Sequence, residues 1–276
     1  MSKKTYYNAT TQPNAFVQPN VTSTIISTHT DTIFTKDYQE KFEFNDIVAS
    51  VFDDMIERSI PFYNEVIDIA IFFIMQYIQT HYINKQISDI PIIYDLGSST
   101  GNFLLRLDNI LQEHHIHASM YGIDNSPAMI ERARLKANAM GSNIAFIIQD
   151  FLQTDFKATD IFLSFYTMQF VRPLYRQDMI QRVYNALKKN GIFLLAEKVI
   201  SQDSKLETQM IACYHEYKTK RGYTQGEIYK KREALENILV PYSVYENTKM
   251  LENCGFSHIE ILFKWVNFVL FLARKG

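Results

Sequence analysis

The stretch Ile92-Ile93-Tyr94-Asp95-Leu96-Gly97-Ser98-Ser99-Thr100-Gly101 joins an apolar run to a turn of small residues, and an apolar helical pattern follows it. This order predicts a buried strand, a glycine-containing turn and a helix whose N-terminus faces a ligand. Asp95 stands at the strand end, where a carboxylate can accept hydrogen bonds from an amine or a hydroxyl group. The stretch favours a site for a ligand with a cationic end, although an ordinary strand-to-helix turn accounts for it equally well when taken alone.

The glycine spacing of this turn argues against two other nucleotide-binding motifs. Gly97 and Gly101 do not match Gly-x-Gly-x-x-Gly, and no Gly-Lys-Ser/Thr follows them, so a P-loop is excluded. A dinucleotide fold places its ribose-binding acid about twenty residues beyond the turn. Here the next strand-end acid, Asp124, lies nearer thirty residues beyond Asp95, so a dinucleotide site is the weaker alternative.

The composition is that of a globular protein of 276 residues, with 47% hydrophobic and 21% charged residues. A net charge of -2 argues against a main role in binding nucleic acid directly, because that role requires a basic surface. The two cysteines, Cys213 and Cys254, lie far apart and form no Cys-x-x-Cys motif. We therefore predict no metal, no disulfide framework and a reducing, cytoplasmic location.

Residues 1–40 are a polar leader rich in Thr, Ser, Asn and Gln, and we predict that this leader is disordered. It shows no secretory signal. Residues 41–276 are predicted to form a single α/β domain. The most apolar run in that domain, residues 66–78, is too short for a membrane span and contains Asp68 and Gln76, so it predicts a buried helix and no membrane partner.

Strand and helix patterns alternate through the first part of this domain. Two helices, one beginning at Asn45 or Asp46 and ending at Pro61, the other at residues 63–81, precede the first strand. The predicted strands are residues 90–95, 118–124, 143–149, 160–164 and 192–196, and a helix at residues 175–189 precedes the last. The alternation predicts a doubly wound, parallel sheet with its ligand at the carboxyl ends of the strands.

The alternation stops after Lys198, and residues 203–254 are predicted to be a helical insertion with capping boxes at Thr224 and Ser243. Residues 257–273 contain two apolar strands too close together for a crossover helix, so they predict an antiparallel hairpin at the sheet edge. Five parallel strands completed by a hairpin make a mostly parallel, seven-stranded, Rossmann-like sheet. This is the pattern of class I S-adenosylmethionine-dependent enzymes.

Three strand-end acids are the candidate ligands of an adenosyl compound. Asp95, Asp124 and Asp150 each end a strand, and these strand ends line one crevice in a doubly wound sheet. Asp124 suits ribose hydroxyls, because a carboxylate can accept two O–H bonds at once. Asp150 followed by Phe151 suits adenine, with the acid accepting from the amine and the aromatic side chain packing on the ring. Each acid alone is more often a turn former, but three in succession favour a ligand site.

Four stretches together resemble the carboxy-S-adenosyl-L-methionine synthase family over about residues 42–273. Two of them are not generic methyltransferase features and carry the specificity: Val51-Phe52-Asp53-Asp54-Met55-Ile56-Glu57-Arg58-Ser59-Ile60-Pro61 and Lys231-Arg232-Glu233-Ala234-Leu235-Glu236-Asn237. The other two are Tyr94-Asp95-Leu96-Gly97 and Ile123-Asp124-Asn125-Ser126-Pro127-Ala128-Met129-Ile130-Glu131-Arg132.

The resemblance implies an enzyme that uses prephenate to convert S-adenosyl-L-methionine into carboxy-S-adenosyl-L-methionine, with release of phenylpyruvate. It also implies that a separate tRNA carboxymethyltransferase uses the product on wobble uridine. The main alternative is an ordinary methyltransferase, and a second is a non-catalytic protein that binds the cofactor and acts through its helical insertion. We also predict a homodimer through the helices of residues 203–253, because Tyr214, Tyr217 and Tyr229 look exposed there.

Carried over by position, the residues that bind the ligand in this family are Tyr63, Gly97, Ser98, Ser99, Asp124, Asn125, Asp150, Phe151 and Arg232. The implied catalytic pair is Arg232, which holds the new carboxylate, and Tyr63, which adds a hydroxyl donor. The alternatives are an Arg232 that pairs with Glu236 in solvent and a Tyr63 that only packs in the core. Ser98 stands where the family often has Cys. Phe165 stands where many members have an Asn ligand, so only a backbone contact is carried over there.

Overall fold

The computed structural model describes Asp31 and residues 43–276, so the predicted disorder of residues 1–40 lies, apart from Asp31, outside the described residues. The helices are α1 (Asp46–Ser59), α2 (Tyr63–Ile78), α3 (Asn102–Glu113), α4 (Pro127–Met140), α5 (Pro173–Ala186), α6 (Ser204–Lys220), α7 (Gln225–Ala234) and α8 (Val244–Asn253). The strands are β1 (Ile92–Leu96), β2 (Ser119–Asp124), β3 (Ala145–Ile148), β4 (Thr159–Phe165), β5 (Leu187–Ile200), β6 (Tyr242–Ser243), β7 (His258–Trp265) and β8 (Phe268–Arg274).

Seven of these strands lie side by side in the order β3-β2-β1-β4-β5-β8-β7. Strands β1 to β5 pair in parallel, and β8 pairs antiparallel with both β5 and β7. The predicted doubly wound sheet with a terminal hairpin is thus confirmed, and the two-residue strand β6 adds an eighth strand beside β5. Because β2 and β4 flank β1 on opposite sides, the strand order reverses there and leaves a crevice at the carboxyl ends.

Helix α2 is a core element. Its buried side chains are Val66, Ile67, Ala70, Ile71, Ile74, Tyr77 and Ile78. The segment Tyr63–Ile83, which ends in a π-helical turn, is long enough at 21 residues and has a mean hydropathy of 1.3, so by length and composition it passes as a membrane span. Its apolar face nevertheless packs against the sheet, as expected for the core helix of a globular domain.

A buried carboxylate anchors the end of this helical segment to the sheet. Asp160 accepts hydrogen bonds from the hydroxyl of Tyr82 at 2.5 Å, from the backbone N–H of Ile92 at 2.8 Å and from Nζ of Lys188 at 2.8 Å. These partners come from the helical segment, β1 and β5. The cluster lies at the amino ends of β1 and β4, so it stabilises the fold at the edge opposite the ligand crevice.

The boundary between α5 and β5 differs from the prediction. The helix predicted to reach residue 189 ends at Ala186, and the strand predicted for residues 192–196 runs from Leu187 to Ile200. Leu187 is buried, extended and paired with Thr159, while the side chain of Lys188 binds Asp160. These long-range contacts outweigh the local helix propensity of the segment.

Helices α6 to α8 form the predicted helical region before the hairpin. Both capping boxes are present. The hydroxyls of the N-cap residues Thr224 and Ser243 accept from the backbone N–H groups of Glu227 and Glu246, whose carboxylates accept from the N–H groups of Thr224 and Ser243 in return. Nζ of Lys231 donates to Oγ of Ser59 at 2.7 Å, which fastens α7 to the end of α1. This contact sets the position of the neighbouring Arg232 relative to the sheet.

Candidate functional site

A cleft of about 2360 Å³ opens at the carboxyl ends of the parallel strands. Strand ends and their loops form one part of its wall, and α1 with the helical insertion forms the other. The cleft is lined by most of the site residues predicted from the sequence, namely Gly97, Ser99, Asp124, Asn125, Asp150, Phe151, Phe165 and Arg232. The remaining three, Tyr63, Asp95 and Ser98, are not among its lining residues.

The turn after β1 depends on backbone conformations that favour glycine. Gly97 has a φ of 76° and Gly101 a φ of 80°, and Ser99 between them also has a positive φ of 48°. A side chain at position 97 would overlap with that of Thr167, whose hydroxyl donates to the carbonyl oxygen of Gly97 at 3.4 Å. The turn therefore passes close to the loop after β4, and the two together form one end of the cleft.

Asp124 connects this turn to the start of α4. Its Oδ2 accepts from the N–H of Ser99 and its Oδ1 accepts from the N–H of Ser126, both at 2.9 Å. Each carboxylate oxygen keeps a second lone pair for a ligand hydroxyl. Burial raises the pKa of Asp124 above its ordinary value, and the backbone N–H donors oppose that shift.

Asp95 and Ser98 carry buried polar atoms directly behind the cleft turn. Asp95 is 3% exposed, and burial, followed by the nearby charge of Asp124, raises the pKa of its carboxyl to about 8. Oδ1 of Asp95 and Oγ of Ser98 have no hydrogen-bond partner among the described residues. Buried polar groups of this kind cost free energy unless a ligand or water satisfies them. Two carboxyls at adjacent strand ends thus fit the ammonium group and the ribose hydroxyls of an adenosyl amino acid.

Aromatic side chains line the cleft beside these acids. Asp150 caps the short 3₁₀ turn Phe151–Gln153 by accepting from the N–H of Leu152 at 2.9 Å. This cap directs the chain so that the half-buried Phe151 lines the cleft. Phe165 ends β4, and its ring packs against Phe103 with 4.6 Å between the centroids. The arrangement offers a ring surface to a flat base next to a hydrogen-bond acceptor.

Tyr63 begins α2 and is half-buried in the main core, with its ring centroid 6.4 Å from that of Tyr166. Burial, with smaller contributions from Asp53 and Asp95, raises the pKa of Tyr63, so its hydroxyl stays protonated. This placement agrees with the core-packing alternative. The contact of Tyr63 with a ligand remains a prediction.

Arg232 is an exposed side chain in the last turn of α7, and it lines the cleft. The alternative pairing with Glu236 is not formed, and no described carboxylate lies within ion-pair distance of its guanidinium. Arg232 is therefore placed to bind an anionic ligand inside the cleft.

Sequence reasoning missed two lysines that also line the cleft, Lys198 at the end of β5 and Lys218 on α6. Nζ of Lys218 lies 4.6 Å and Nζ of Lys198 lies 5.3 Å from the centroid of the Tyr214 ring. Lys198 follows the fifth predicted strand, so it could have been found by treating charged residues at every strand end as ligand candidates. Lys218 had no comparable signal, since a lysine in a polar helix is usually a solvated charge.

The described residues contain no group of three or more His, Cys, Asp or Glu side chains placed to hold a metal ion. Of the two cysteines, Cys213 is exposed and Cys254 is buried, and both are free.

Comparison with known proteins assigns this chain to a family. Residues 93–191 match a family model described as a methyltransferase domain. The carboxy-S-adenosyl-L-methionine synthase of Helicobacter hepaticus is 49% identical over 245 residues, which cover 89% of this chain and 99% of that protein. The proteins of the same name from Sulfurimonas denitrificans and Helicobacter pylori (strain Shi470) are each 45% identical with the same coverage.

Solved structures agree with the fold. Magnesium protoporphyrin IX methyltransferase from Synechocystis PCC 6803, crystallised with bound SAH, superposes with a TM-score of 0.54 at 13% identity, covering 88% of this chain and 91% of that one. The mitomycin 7-O-methyltransferase MmcR gives a TM-score of 0.54 at 12% identity, covering 88% of this chain and 60% of that one. Identities this low show the fold alone, which is that of class I methyltransferases, whereas the full-length relatives show that the chain is a transferase of the carboxy-S-adenosyl-L-methionine synthase family.

Proposed function

We propose that the protein converts S-adenosyl-L-methionine and prephenate into carboxy-S-adenosyl-L-methionine and phenylpyruvate. The main support for the proposal is that one cleft is lined both by acids suited to an adenosyl amino acid and by a set of cations that includes Arg232. A methyltransferase needs the first part of this cleft. It has no use for an arginine beside the methyl group, whereas an enzyme that adds a carboxylate there requires a cation.

At the acidic end, the residues would bind the adenosyl amino acid as their positions suggest. Asp124 accepts from the ribose hydroxyls, and Asp150 with Phe151 holds the adenine. Asp95 receives the ammonium group, which satisfies its buried Oδ1 atom and lowers its pKa again by charge attraction. The bound S-adenosyl-L-methionine supplies a methyl group made acidic by the neighbouring sulfonium.

At the other end, Arg232 binds the carboxylate that is transferred, through two parallel N–H donors. Prephenate loses its ring carboxylate as carbon dioxide and its ring hydroxyl as hydroxide, which leaves phenylpyruvate. The hydroxide takes up the proton that the methyl group loses, so one water is released and the carbon dioxide adds to the methyl carbon. Carbon dioxide must be captured before it escapes, so the cleft has to limit access of water. Apolar side chains that line the cleft serve this purpose, including Met55, Ile56, Phe170 and Phe268.

Incubation of the full chain with S-adenosyl-L-methionine and prephenate tests the proposal directly. We expect the sulfonium ligand to gain the mass of one carbon dioxide, measured by mass spectrometry, with an equal amount of phenylpyruvate released. Incubation with phenylpyruvate in place of prephenate is the control and should give no mass gain. Loss of the methyl group to an added acceptor, without any carboxylated product, would instead identify an ordinary methyltransferase.

We further propose that the product leaves for a separate tRNA carboxymethyltransferase that modifies wobble uridine. The formal net charge of -2 supports this division of labour, because the protein lacks the excess of basic residues that direct binding of tRNA requires. Gel-shift assays with tRNA at physiological salt should show no complex with this protein alone.

A further inference from the structure

Lys198 and Lys218 are built into the cleft rather than left in solvent. Lys218 is only 5% exposed, and Lys198 is half-buried and lines the cleft. Both ammonium groups lie over the ring of Tyr214, and this ring is itself held in place. The hydroxyl of Tyr214 donates to the carbonyl oxygen of Ser59 at 2.8 Å, and its ring packs on Phe268 at 5.2 Å.

The positive charge in this part of the cleft exceeds the negative charge. No described carboxylate lies within ion-pair distance of Lys218, and its charged neighbours Lys231, Lys198 and Arg232 are all cations. Of these, Lys231 already pairs with Asp31, at 3.9 Å between Nζ and Oδ2. Glu207 faces Lys198, but its Oε2 already accepts from the N–H of Ser201 at 2.7 Å. Burial, together with the surrounding cations, lowers the pKa of Lys218 to about 7. An anion bound here would relieve this repulsion.

Prephenate carries two carboxylates, and the proposed reaction transfers only one of them. Arg232 accounts for the transferred carboxylate, which leaves the second in need of its own cation, because a buried carboxylate without a partner is costly. We propose that Lys198 and Lys218 form the subsite for the carboxylate that stays with the keto acid. This inference rests on the proposed function, and it assigns to each carboxylate of the substrate a different set of side chains.

The two subsites can be separated by titration calorimetry of the full chain with prephenate, which has both carboxylates, and with phenylpyruvate, which keeps only the second. Lys218→Met keeps the length of the side chain and removes its charge, and we expect it to weaken binding of both acids by about tenfold or more. Arg232→Met should weaken binding of prephenate by a similar factor and leave phenylpyruvate within about threefold of wild type. Lys198→Met should follow the pattern of Lys218→Met.

Lys220→Met is the matched control, since Lys220 lies on the same helix with its side chain 73% exposed and paired with Glu216. It should bind both acids as wild type does, and Lys218→Arg should restore most of the affinity lost in Lys218→Met. Unchanged binding of both acids by folded Lys218→Met and Lys198→Met, in a preparation whose wild type turns over prephenate, overturns the subsite and leaves the proposed function standing. A wild type that neither binds nor turns over prephenate overturns both.

Discussion

At the scale of single residues, Arg232 separates a synthase from a methyltransferase. If its guanidinium binds only the added carboxylate, Arg232→Ala should reduce the affinity for carboxy-S-adenosyl-L-methionine by about 1.5 to 3 kcal/mol, because charge-assisted hydrogen bonds to the ligand carboxylate are lost. S-adenosyl-L-methionine has no such carboxylate and should bind nearly as before. The measurement is the pair of dissociation constants on wild type and variant, and equal losses for the two ligands would show that Arg232 is structural.

Asp95 illustrates a residue whose charge opposes folding. Because burial raises its pKa from 3.8 to about 8, the folded state holds a proton that the unfolded state has released across that pH range. Stability is therefore lost as pH rises from 3.8 to about 8, and the loss is complete above the higher value. Asp95→Asn removes this titration, so the ligand-free variant should melt at a higher temperature than wild type near pH 8, with no difference near pH 3.8.

The control for Asp95→Asn is Glu260→Gln, a change at an exposed acid on β7. Its melting temperature should follow that of wild type at every pH. A difference between Asp95→Asn and wild type that is independent of pH would contradict the assignment of the titration to Asp95. The same variant should bind S-adenosyl-L-methionine more weakly, since an amide attracts an ammonium group less than a carboxylate does.

At the scale of elements, one carboxylate fastens α1 to the cleft turn and to α4. Oδ1 of Asp53 accepts from Oγ1 of Thr100 at 2.6 Å and from Nδ2 of Asn102 at 3.0 Å, and Oδ2 accepts from Nζ of Lys136 at 2.5 Å. Asp53→Ala should lower the free energy of unfolding by about 2 kcal/mol, because it removes charge-assisted hydrogen bonds and leaves the largely buried Lys136 with only the neutral Asn102 as a hydrogen-bond partner.

Urea denaturation of a double-mutant cycle checks this element-scale prediction. The double variant Asp53→Ala/Lys136→Met should lose less unfolding free energy than the sum of the losses in the two single variants, since each single change removes the same ion pair. Glu57→Ala, at an exposed position of α1, is the control and should change stability little. Strict additivity of Asp53→Ala and Lys136→Met would contradict the coupling between α1 and α4.

At the scale of the whole molecule, we propose that the protein is a homodimer assembled through the helical insertion. The prediction that Tyr214 and Tyr217 are exposed is wrong, because both are half-buried and pack on Phe268 and Trp265 respectively. Large exposed side chains do remain on these helices, with Leu206 53%, Tyr229 58% and Tyr245 59% exposed. Apolar and aromatic groups of this kind are enriched at interfaces.

Light scattering at micromolar concentration should give the mass of two chains, and a monomer at that concentration would end the proposal. Leu206→Glu should shift the population towards monomer, because it introduces a charge into the apolar contact. Leu174→Glu introduces the same charge on α5, at a side chain that is 80% exposed, and should leave the mass unchanged.

Local sequence patterns predicted the parallel sheet, the cleft turn and the strand-end acids Asp124 and Asp150. These features depend on short-range rules, because apolar periodicity, capping boxes and the conformations that glycine permits are set within a few residues. Parallel strands then bring their carboxyl ends to one edge of the sheet. Asp95 follows from the same patterns, but the near-complete exclusion of its carboxyl from solvent behind the cleft wall does not.

Local sequence patterns did not predict which cations meet in the cleft, because long-range packing brings them together. Lys198, Lys218 and Arg232 lie on a strand and two different helices, and nothing in their spacing along the chain indicates that they share one wall. Their convergence depends on how α6 and α7 pack on the sheet, through contacts such as Tyr214 with Phe268 and Lys231 with Ser59. Long-range packing of this kind also moved the start of β5, because burial and pairing across the sheet outweigh local propensity.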